Sequence, residues 1–403
     1  MNDYDHNRHM RYRRPRDDKD LRGQVFTPAP VAACLASLLA PNHRSLLELG
    51  AGQGALIAAA RERCKAARFT AVEVDAVNAK ALSLLGGHVE VHRADVFDAV
   101  KLQKALGRRT FSAAIGNPPF GTRRPVREDS SAEVEAYTHQ GWLHEDLYFF
   151  IEAWRRLRKG GELAMILPDA SVTSPGHVAF RRWLLDQASQ LTVLELPRLA
   201  YIGAEVRSYV IHAVKGRDTT LSKVFLRRVG DDGSHGQTFS VSAKKAQQRM
   251  DYTYYKMLHD HPVLRSDAPT LAAVGVQLTR GSWSRNEFEA LSMPNVHTSS
   301  FLGATTNMRL GSHAQQSLTL AEPGDILVPR VGSRCLLRQA YVVSGRQPIT
   351  DAVFRLRAPR VHRRRILATF AGETGHQWRE AHARGSCARY LTVKDLLAMP
   401  ITG

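Results

Sequence analysis

The feature that most restricts this chain is a regular alternation, between Val25 and Gly216, of short apolar β-rich runs with helical patterns. In order it reads SLLELG, ALIAAARERC, FTAVEVD, VNAKALSLL, VEVHRAD and FSAAIGNPP. Two neighbouring parallel strands need a crossover between them, usually a helix. Strict alternation therefore predicts an α/β fold with a parallel, doubly wound sheet. A second pass follows. DLYFFIEAWRRLRKGG reads as an amphipathic helix ending at Gly160 and Gly161, because glycine readily takes the left-handed terminal conformation. ELAMILP, TVLELP and YVIHAV read as further strands. Between Gly121 and Trp142 the sequence is polar and aperiodic and predicts a mobile loop.

Past Gly216 the pattern becomes polar and turn-rich, with short strands KVFLRRV, DILVPRV, AYVVSG and AVFRLR. A chain of 403 residues also exceeds the size at which one core stops growing. The expected organisation is a basic disordered tail (1–22), an α/β domain (23–217), a connecting segment (218–244) and a smaller α+β domain (245–403). Cys34, Cys64, Cys335 and Cys387 are far apart and form no C-x-x-C pair, so neither a metal site nor a disulfide framework is expected. No apolar run approaches the ~20 residues of a membrane span, and no apolar segment follows the basic N-terminus as in a secretory signal. A bacterial cytoplasmic setting is expected.

The formal net charge is +18. Residues 218–403 hold 25 Lys/Arg against 14 Asp/Glu, giving +11, and residues 1–217 hold 31 against 24, giving +7. Such a field attracts a polyanion, with nucleic acid the leading partner. A generally basic protein would show the same balance, so charge alone does not decide.

The run Leu46-Leu47-Glu48-Leu49-Gly50-Ala51-Gly52-Gln53-Gly54 places a glycine-rich turn between an apolar strand and a helix, where the backbone can approach a ligand closely. Nineteen residues after Gly54, Glu73 ends the next strand, where a carboxylate can accept from both hydroxyls of a ribose. A third strand delivers Asp95, followed by Val96, in a place suited to an adenine amino group. Upstream, QVFTPAPVAACLASLL offers Thr27 as an N-cap and Pro28 at the first helical position. These residues fit a plain capped helix as well as a helix N-terminus that binds a carboxylate. The G-x-G-x-G spacing resembles motif I of class I methyltransferases, and Gln24 to Pro28, with Phe26, resembles their N-terminal motif X. The resemblance implies S-adenosylmethionine as cofactor, held by Phe26, Thr27, Pro28, Glu48, Gly50, Gly52, Gly54, Glu73, Asp95, Val96 and Asn117.

Asn117-Pro118-Pro119-Phe120, following the strand SAAIG, resembles the (D/N)-P-P-(Y/F) motif of amino-group methyltransferases. An aromatic amine shares its lone pair with its ring and is a poor nucleophile. The side-chain oxygen of Asn117 and the backbone carbonyl of Pro118 can each accept one of its N–H groups and favour the tetrahedral geometry that attacks in line. Two prolines stiffen the turn that presents those acceptors. The resemblance gives Phe120 a role in stacking on an extruded base, the other reading being a core residue. Tyr201, just before SYVIHAV, matches a family aromatic on the opposite face, the other reading being a surface or core tyrosine. The motif order resembles the gamma group of DNA adenine-N6 methyltransferases, of the type I modification kind, over residues 22–217.

Residues 245–403 resemble a single target-recognition domain of type I specificity subunits, through RMDYTYY, LTRGSWSRNEF, NVHTSSFLG, PGDILVPRVGS, ITDAVFRLR and GSCARYLTVKDLLAMPI in that order. Between Arg309 and Arg365 eleven arginines face three acidic residues, so loops of this segment are expected to reach phosphates and guanine edges. Arg309, Arg330, Arg334 and Arg338 are the candidates, with a solvated basic face as the other reading of each. The whole reads as a site-specific adenine methyltransferase acting on double-stranded DNA within a restriction–modification system. A companion nuclease would be a separate chain, since no nuclease motif is evident. The alternatives are a methyltransferase for RNA or a protein glutamine, and a DNA-binding subunit with a vestigial catalytic domain. The intact Glu48, Gly50, Gly52, Glu73, Asp95 and Asn117 argue against the last.

Overall fold

The computed structural model describes residues 27–120, 123–125, 138–139, 142–197, 200, 206–216, 221–230, 233–265, 267–312, 317–386 and 388–402. Phe26, Tyr201 and the expected tail of residues 1–22 lie outside these. The chain forms two compact units, Met1–Tyr252 and Thr253–Gly403.

In the first unit the apolar runs become strands β1 (Ser45–Leu49), β2 (Arg68–Glu73), β3 (Val89–Arg93), β4 (Phe111–Gly116), β5 (Leu157–Pro168), β6 (Ala188–Glu195) and β7 (Ser208–Lys215). They line up as β3-β2-β1-β4-β5-β7-β6. The pairs from β3 through β5 are parallel, while β7 runs antiparallel to both β5 and β6. Every residue of β4 is buried, as a strand covered on both faces requires. The covering helices include α1 (Ala29–Leu38), α2 (Ala55–Arg63), α3 (Ala76–Ser83), α4 (Ala99–Leu106), α5 (Glu145–Arg155) and α6 (Val178–Gln187). Val31 and Leu35 of α1 and Leu56 and Ile57 of α2 share one core with Leu46 of β1 and Ile115 of β4.

Four expectations need correction. Helix α5 stops at Arg155, not at the glycine pair, and Gly160 lies within β5. Phe111 pairs with Leu157 but Ala113 pairs with Glu162, so residues 158–161 form a bulge in which Gly160 takes φ 73°. The glycines re-aim a strand instead of ending a helix. The polar stretch after Phe120 contains three short antiparallel strands, Arg123–Pro125, Thr138–His139 and Trp142–His144, so it is not wholly loop.

The third correction concerns residues 218–244, which do not merely connect. They supply β8 (Lys223–Arg228), parallel to β6, and β9 (Phe239–Ser242), antiparallel to β8, extending the sheet to nine strands. Helix α7 (Ala243–Gln248) is fastened to α6 by the fully buried Arg181. Its guanidinium donates to the carbonyls of Gln247 (2.9 Å), Gln248 (3.0 Å), Ser171 (3.1 Å) and Ser174 (2.9 Å). The boundary therefore falls after Tyr252, not at residue 217 or 244. The fourth correction, at the start of α1, belongs to the site below.

The second unit is built on β10 (Gln277–Arg280), β11 (Thr305–Ser312), β12 (Ile326–Pro329), β13 (Gln339–Pro348) and β14 (Val353–Arg357), in the order β10-β14-β12-β13-β11, with Leu320–Ala321 paired to β13. Helices α8 (Arg360–Ala371) and α9 (Glu373–His382) follow. Ile326, Val328, Phe354 and Leu356 from the sheet pack with Ile366, Phe370 and Trp378 from the helices. It is an α+β unit with its own core.

Candidate active site

In an open parallel sheet, ligands bind beyond the carboxyl ends of the strands where the strand order reverses. Here that point lies between β1 and β4, and four of the residues singled out in sequence end neighbouring strands there or follow them directly: Gly50, Glu73, Asp95 and Asn117.

The turn after β1 is held against β2 by the amides of Gly50 (2.8 Å) and Ala51 (3.1 Å), both donating to the Val72 carbonyl. Gly50 has φ 70°, and a Cβ there would come within 3.0 Å of the Phe149 ring. Gly54, at φ 86°, starts α2, and a Cβ would come within 2.5 Å of Leu85 and 2.8 Å of Leu82. Only glycine meets both demands, a left-handed backbone and no side chain.

Two acids flank this turn. Glu73, 4% exposed, accepts from the Gly52 amide on Oε2 (2.7 Å) and from the Asp75 amide on Oε1 (2.8 Å). Each oxygen is fixed in place and retains lone-pair capacity. Glu48 is 2% exposed, and its Oε2 has no hydrogen-bond partner among the described residues. Burial pushes its carboxyl well above the usual range, and the charge of Glu73 adds to the rise. A buried acceptor without a donor, beside a cradle closed to side chains, fits a ligand that brings a cation or N–H groups.

Asp95 is half-buried and accepts from the Phe97 amide (3.0 Å). Val96 turns its side chain into the core, which restricts its role to its backbone. Phe97 stacks on Tyr148 (centroids 4.9 Å apart) and meets Phe149 edge-on (5.6 Å). Sequence reasoning missed this aromatic group because α5 reads simply as an amphipathic packing helix. The clue is the density of aromatics in DLYFF.

Asn117 follows β4, with Pro118 buried and Pro119 half-buried. Its Nδ2 donates to Thr27 Oγ1 at 2.9 Å. Thr27 does not cap a helix, which is the fourth correction: Pro28 occupies the cap position of α1 without a side-chain cap bond, and Pro30 lies in the first turn. The Thr27 hydroxyl instead orients the Asn117 amide, turning its oxygen away from Thr27. Phe120 is half-buried and packs against the core.

A buried polar group lies beyond the next strands. Asp169 follows β5, Glu195 ends β6 and Tyr209 lies on β7; Tyr209 donates to Asp169 (3.2 Å), and Arg207 bonds Glu195 (3.5 Å). Asp146, 3% exposed, accepts from Ser171 (3.1 Å), and burial pushes its carboxyl up to about 6. Among the described residues no group of three His, Cys, Asp or Glu could hold a metal ion, and no helix is long and apolar enough to cross a membrane.

In the second unit, Arg309 on β11 and Arg334 in the turn before β13 are exposed. Arg330 donates to the Asp351 carbonyl (2.6 Å), and Arg338 donates to the Phe301 carbonyl. These two are tied down internally, which leaves Arg309 and Arg334 as the side chains of that set presented to solvent.

The 3-2-1-4-5-7-6 strand order with β7 reversed, a glycine turn after β1 and an Asn-Pro-Pro-Phe turn after β4 together define a class I methyltransferase unit. More particularly, the chain belongs to the N-6 DNA methylase family, whose profile matches residues 13–262. It is 30% identical over 226 residues to the type II methyltransferase M.XamI of Xanthomonas campestris pv. amaranthicola, covering 52% of this chain and 39% of that protein. It is 36% identical over 118 residues to the tRNA1(Val) (adenine(37)-N6)-methyltransferase of Shewanella amazonensis, covering 28% of this chain and 48% of that one. The chain thus spans less than half the length of either curated relative. Among solved structures it is similar to the methyltransferase subunit of a type I restriction–modification system from Streptococcus thermophilus, with TM-score 0.45 and 17% identity over 62% of this chain and 55% of that one.

Proposed function

We propose that this chain methylates N6 of an adenine, flipped out of double-stranded DNA at a specific sequence, with S-adenosylmethionine as methyl donor, as part of a restriction–modification system. The observation that carries the reading is the Thr27–Asn117 bond at the end of β4, beside the glycine turn. It presents an amide oxygen, not an amide nitrogen, to the incoming amine. That oxygen and the Pro118 carbonyl accept the two amine N–H groups and direct the lone pair out of conjugation. S-adenosylmethionine, when bound, supplies an electrophilic methyl group on a sulfonium. The residues fit it: Glu73 for the ribose hydroxyls, Asp95 for the adenine amino group, and the Glu48 oxygen left without a partner among the described residues for the cationic end. Transfer of that methyl group would form the nitrogen–methyl bond as the sulfur–methyl bond broke, and the methylated nitrogen would then lose its proton to solvent. No side-chain base is needed, because that nitrogen has become acidic. Arg309 and Arg334 serve the DNA backbone or its bases.

The test is Asn117→Ala. Methyl transfer to DNA should fall by about 10²–10³-fold, the usual effect of removing one preorganised polar group from the reacting centre. The dissociation constant for S-adenosylmethionine should stay within about twofold. Turnover equal to the unaltered protein would sink the mechanism. An RNA acceptor run in parallel addresses the likeness to the tRNA enzyme, and methylation-sensitive sequencing of DNA from cells expressing this chain alone reads out the target.

A further inference from the structure

The second unit holds a cleft of about 400 Å³ lined by Tyr341, Arg360, Arg363, Arg364 and Leu367. The last four recur at helical spacing along α8 and so share one face, while Tyr341 comes from β13. Tyr341 and Leu367 also pack against the core, forming a fixed, largely apolar floor beneath a rim of guanidinium groups.

Helix α8 reverses the usual electrostatic pattern. A helix N-terminus carries partial positive charge and favours acids, yet its first turn has no acidic residue, and Arg360, Arg363, Arg364 and Arg365 crowd its opening six positions. Several arginines elsewhere in this unit are neutralised, Arg357 by Glu322 and Asp325, Arg384 by Asp395 and Arg389 by Glu380. Among the described residues, Arg360, Arg363 and Arg364 form no ion pair. Arg363 is nevertheless braced. Its Nε donates to the Ala358 carbonyl at 3.0 Å, and its Nη1 fills the space that a Cβ on Gly324 would need.

Uncompensated cations around a cleft, one of them held rigid, at a helix end that already favours anions, make a receptor for an anionic group. The apolar floor suits the sugar of a chain better than a bare inorganic ion. We infer that this cleft takes a phosphodiester of the DNA backbone, with Arg363 as the fixed centre and Arg360 and Arg364 on either side. The inference rests on the proposed action on DNA and adds to it a backbone anchor separate from Arg309 and Arg334. Such an anchor sets affinity and register and carries no sequence information.

The test uses the full chain and a fluorescein-labelled random-sequence duplex, with anisotropy titrations over a range of KCl concentrations. Each phosphate that the protein no longer neutralises lowers the slope of log affinity against log salt by about 0.9, which is about eightfold weaker binding at 0.1 M salt. Arg360→Gln and Arg364→Gln should each lower the slope, and the double variant by no more than about 0.9, the single charge of one phosphodiester. Arg364→Lys should keep the slope, and so should Lys394→Gln, which removes an exposed cation of the same unit outside the cleft. Arg360 and Arg364 are exposed, so the melting temperature should not move. An unchanged slope in both glutamine variants, or an equal loss in Lys394→Gln, overturns the cleft and leaves the methyltransferase reading intact. If the unaltered chain neither binds the duplex nor methylates DNA, that reading falls and the cleft proposal falls with it.

Discussion

Replacing Thr27 with valine keeps the shape of the side chain and removes only the hydroxyl that accepts from Asn117 Nδ2 at 2.9 Å. A hydrogen bond of this kind is worth about 0.5–1.5 kcal/mol net, and both groups are only half-buried, so a value near 1.4 kcal/mol is a fair upper figure. Without it the amide can turn over, exchanging oxygen for nitrogen at the amine-binding end. A loss of 1.4 kcal/mol is about tenfold in rate. Thr27→Val should therefore lower kcat about tenfold, with the cofactor dissociation constant within about twofold. Thr27→Ser, which keeps the hydroxyl, should stay within about threefold of the unaltered protein. The thermal midpoint separates this role from capping. A cap lost from α1 would cost about 1 kcal/mol of stability. Thr27 makes no cap bond, so Thr27→Val should melt no lower than Asn117→Ala, which breaks the same bond and leaves the start of α1 untouched. Single-turnover methyl transfer to DNA, isothermal titration with cofactor and a melting curve supply the three readouts. Unaltered kcat in Thr27→Val, or a melting temperature well below that of Asn117→Ala, would refute the reasoning.

Asp146 gives a pH-dependent prediction: its carboxyl, raised by burial from 3.8 to about 6, binds its proton more tightly in the folded chain than in the unfolded one. Stability from this group is therefore highest below about pH 4 and falls as pH rises through 6, by about 3 kcal/mol in all. Asp146→Asn removes that cost, so urea unfolding should show the variant more stable than the parent at pH 8 and equal to it at pH 4. A pH-independent difference would show that the charge is not the cause. Gly50→Ala should lose about 1–3 kcal/mol of stability and weaken cofactor binding, because the new methyl meets Phe149 on a backbone at φ 70°. An alanine variant with parental melting and cofactor affinity would contradict the close approach described for this turn.

The central strands β1, β2 and β4 are legible in the sequence because each is a compact apolar run buried in a covered sheet. The glycine turn is legible because its backbone demands leave one residue type. The strand Lys223–Arg228 reads correctly as a strand but is assigned to the wrong unit. Its residues alternate between exposed and buried, and nothing local says which sheet such a strand joins. Pairing with β6, nearly thirty residues upstream, decides that. The Thr27–Asn117 bond spans ninety positions and is equally invisible to a local reading, which offers a helix cap in its place. Glycines 160 and 161 mislead for a related reason, since a left-handed residue serves a bulge as well as a helix end. Among the arginines, sequence cannot tell Arg338, spent on a backbone carbonyl, from Arg309, presented to solvent.

The fastening of residues 221–252 to the first unit fixes where this polypeptide can be cut and rejoined. A fragment ending at residue 217 would bare the outer edge of β6, leaving a backbone ready to recruit a foreign strand. One ending at residue 244 would strand the guanidinium of Arg181 in the interior, shorn of the Gln247 and Gln248 carbonyls. A graft that brings in a different second unit therefore has its seam after Tyr252. A chimera joined there keeps intact the strands Lys223–Arg228 and Phe239–Ser242 and the Arg181 anchor of the first unit.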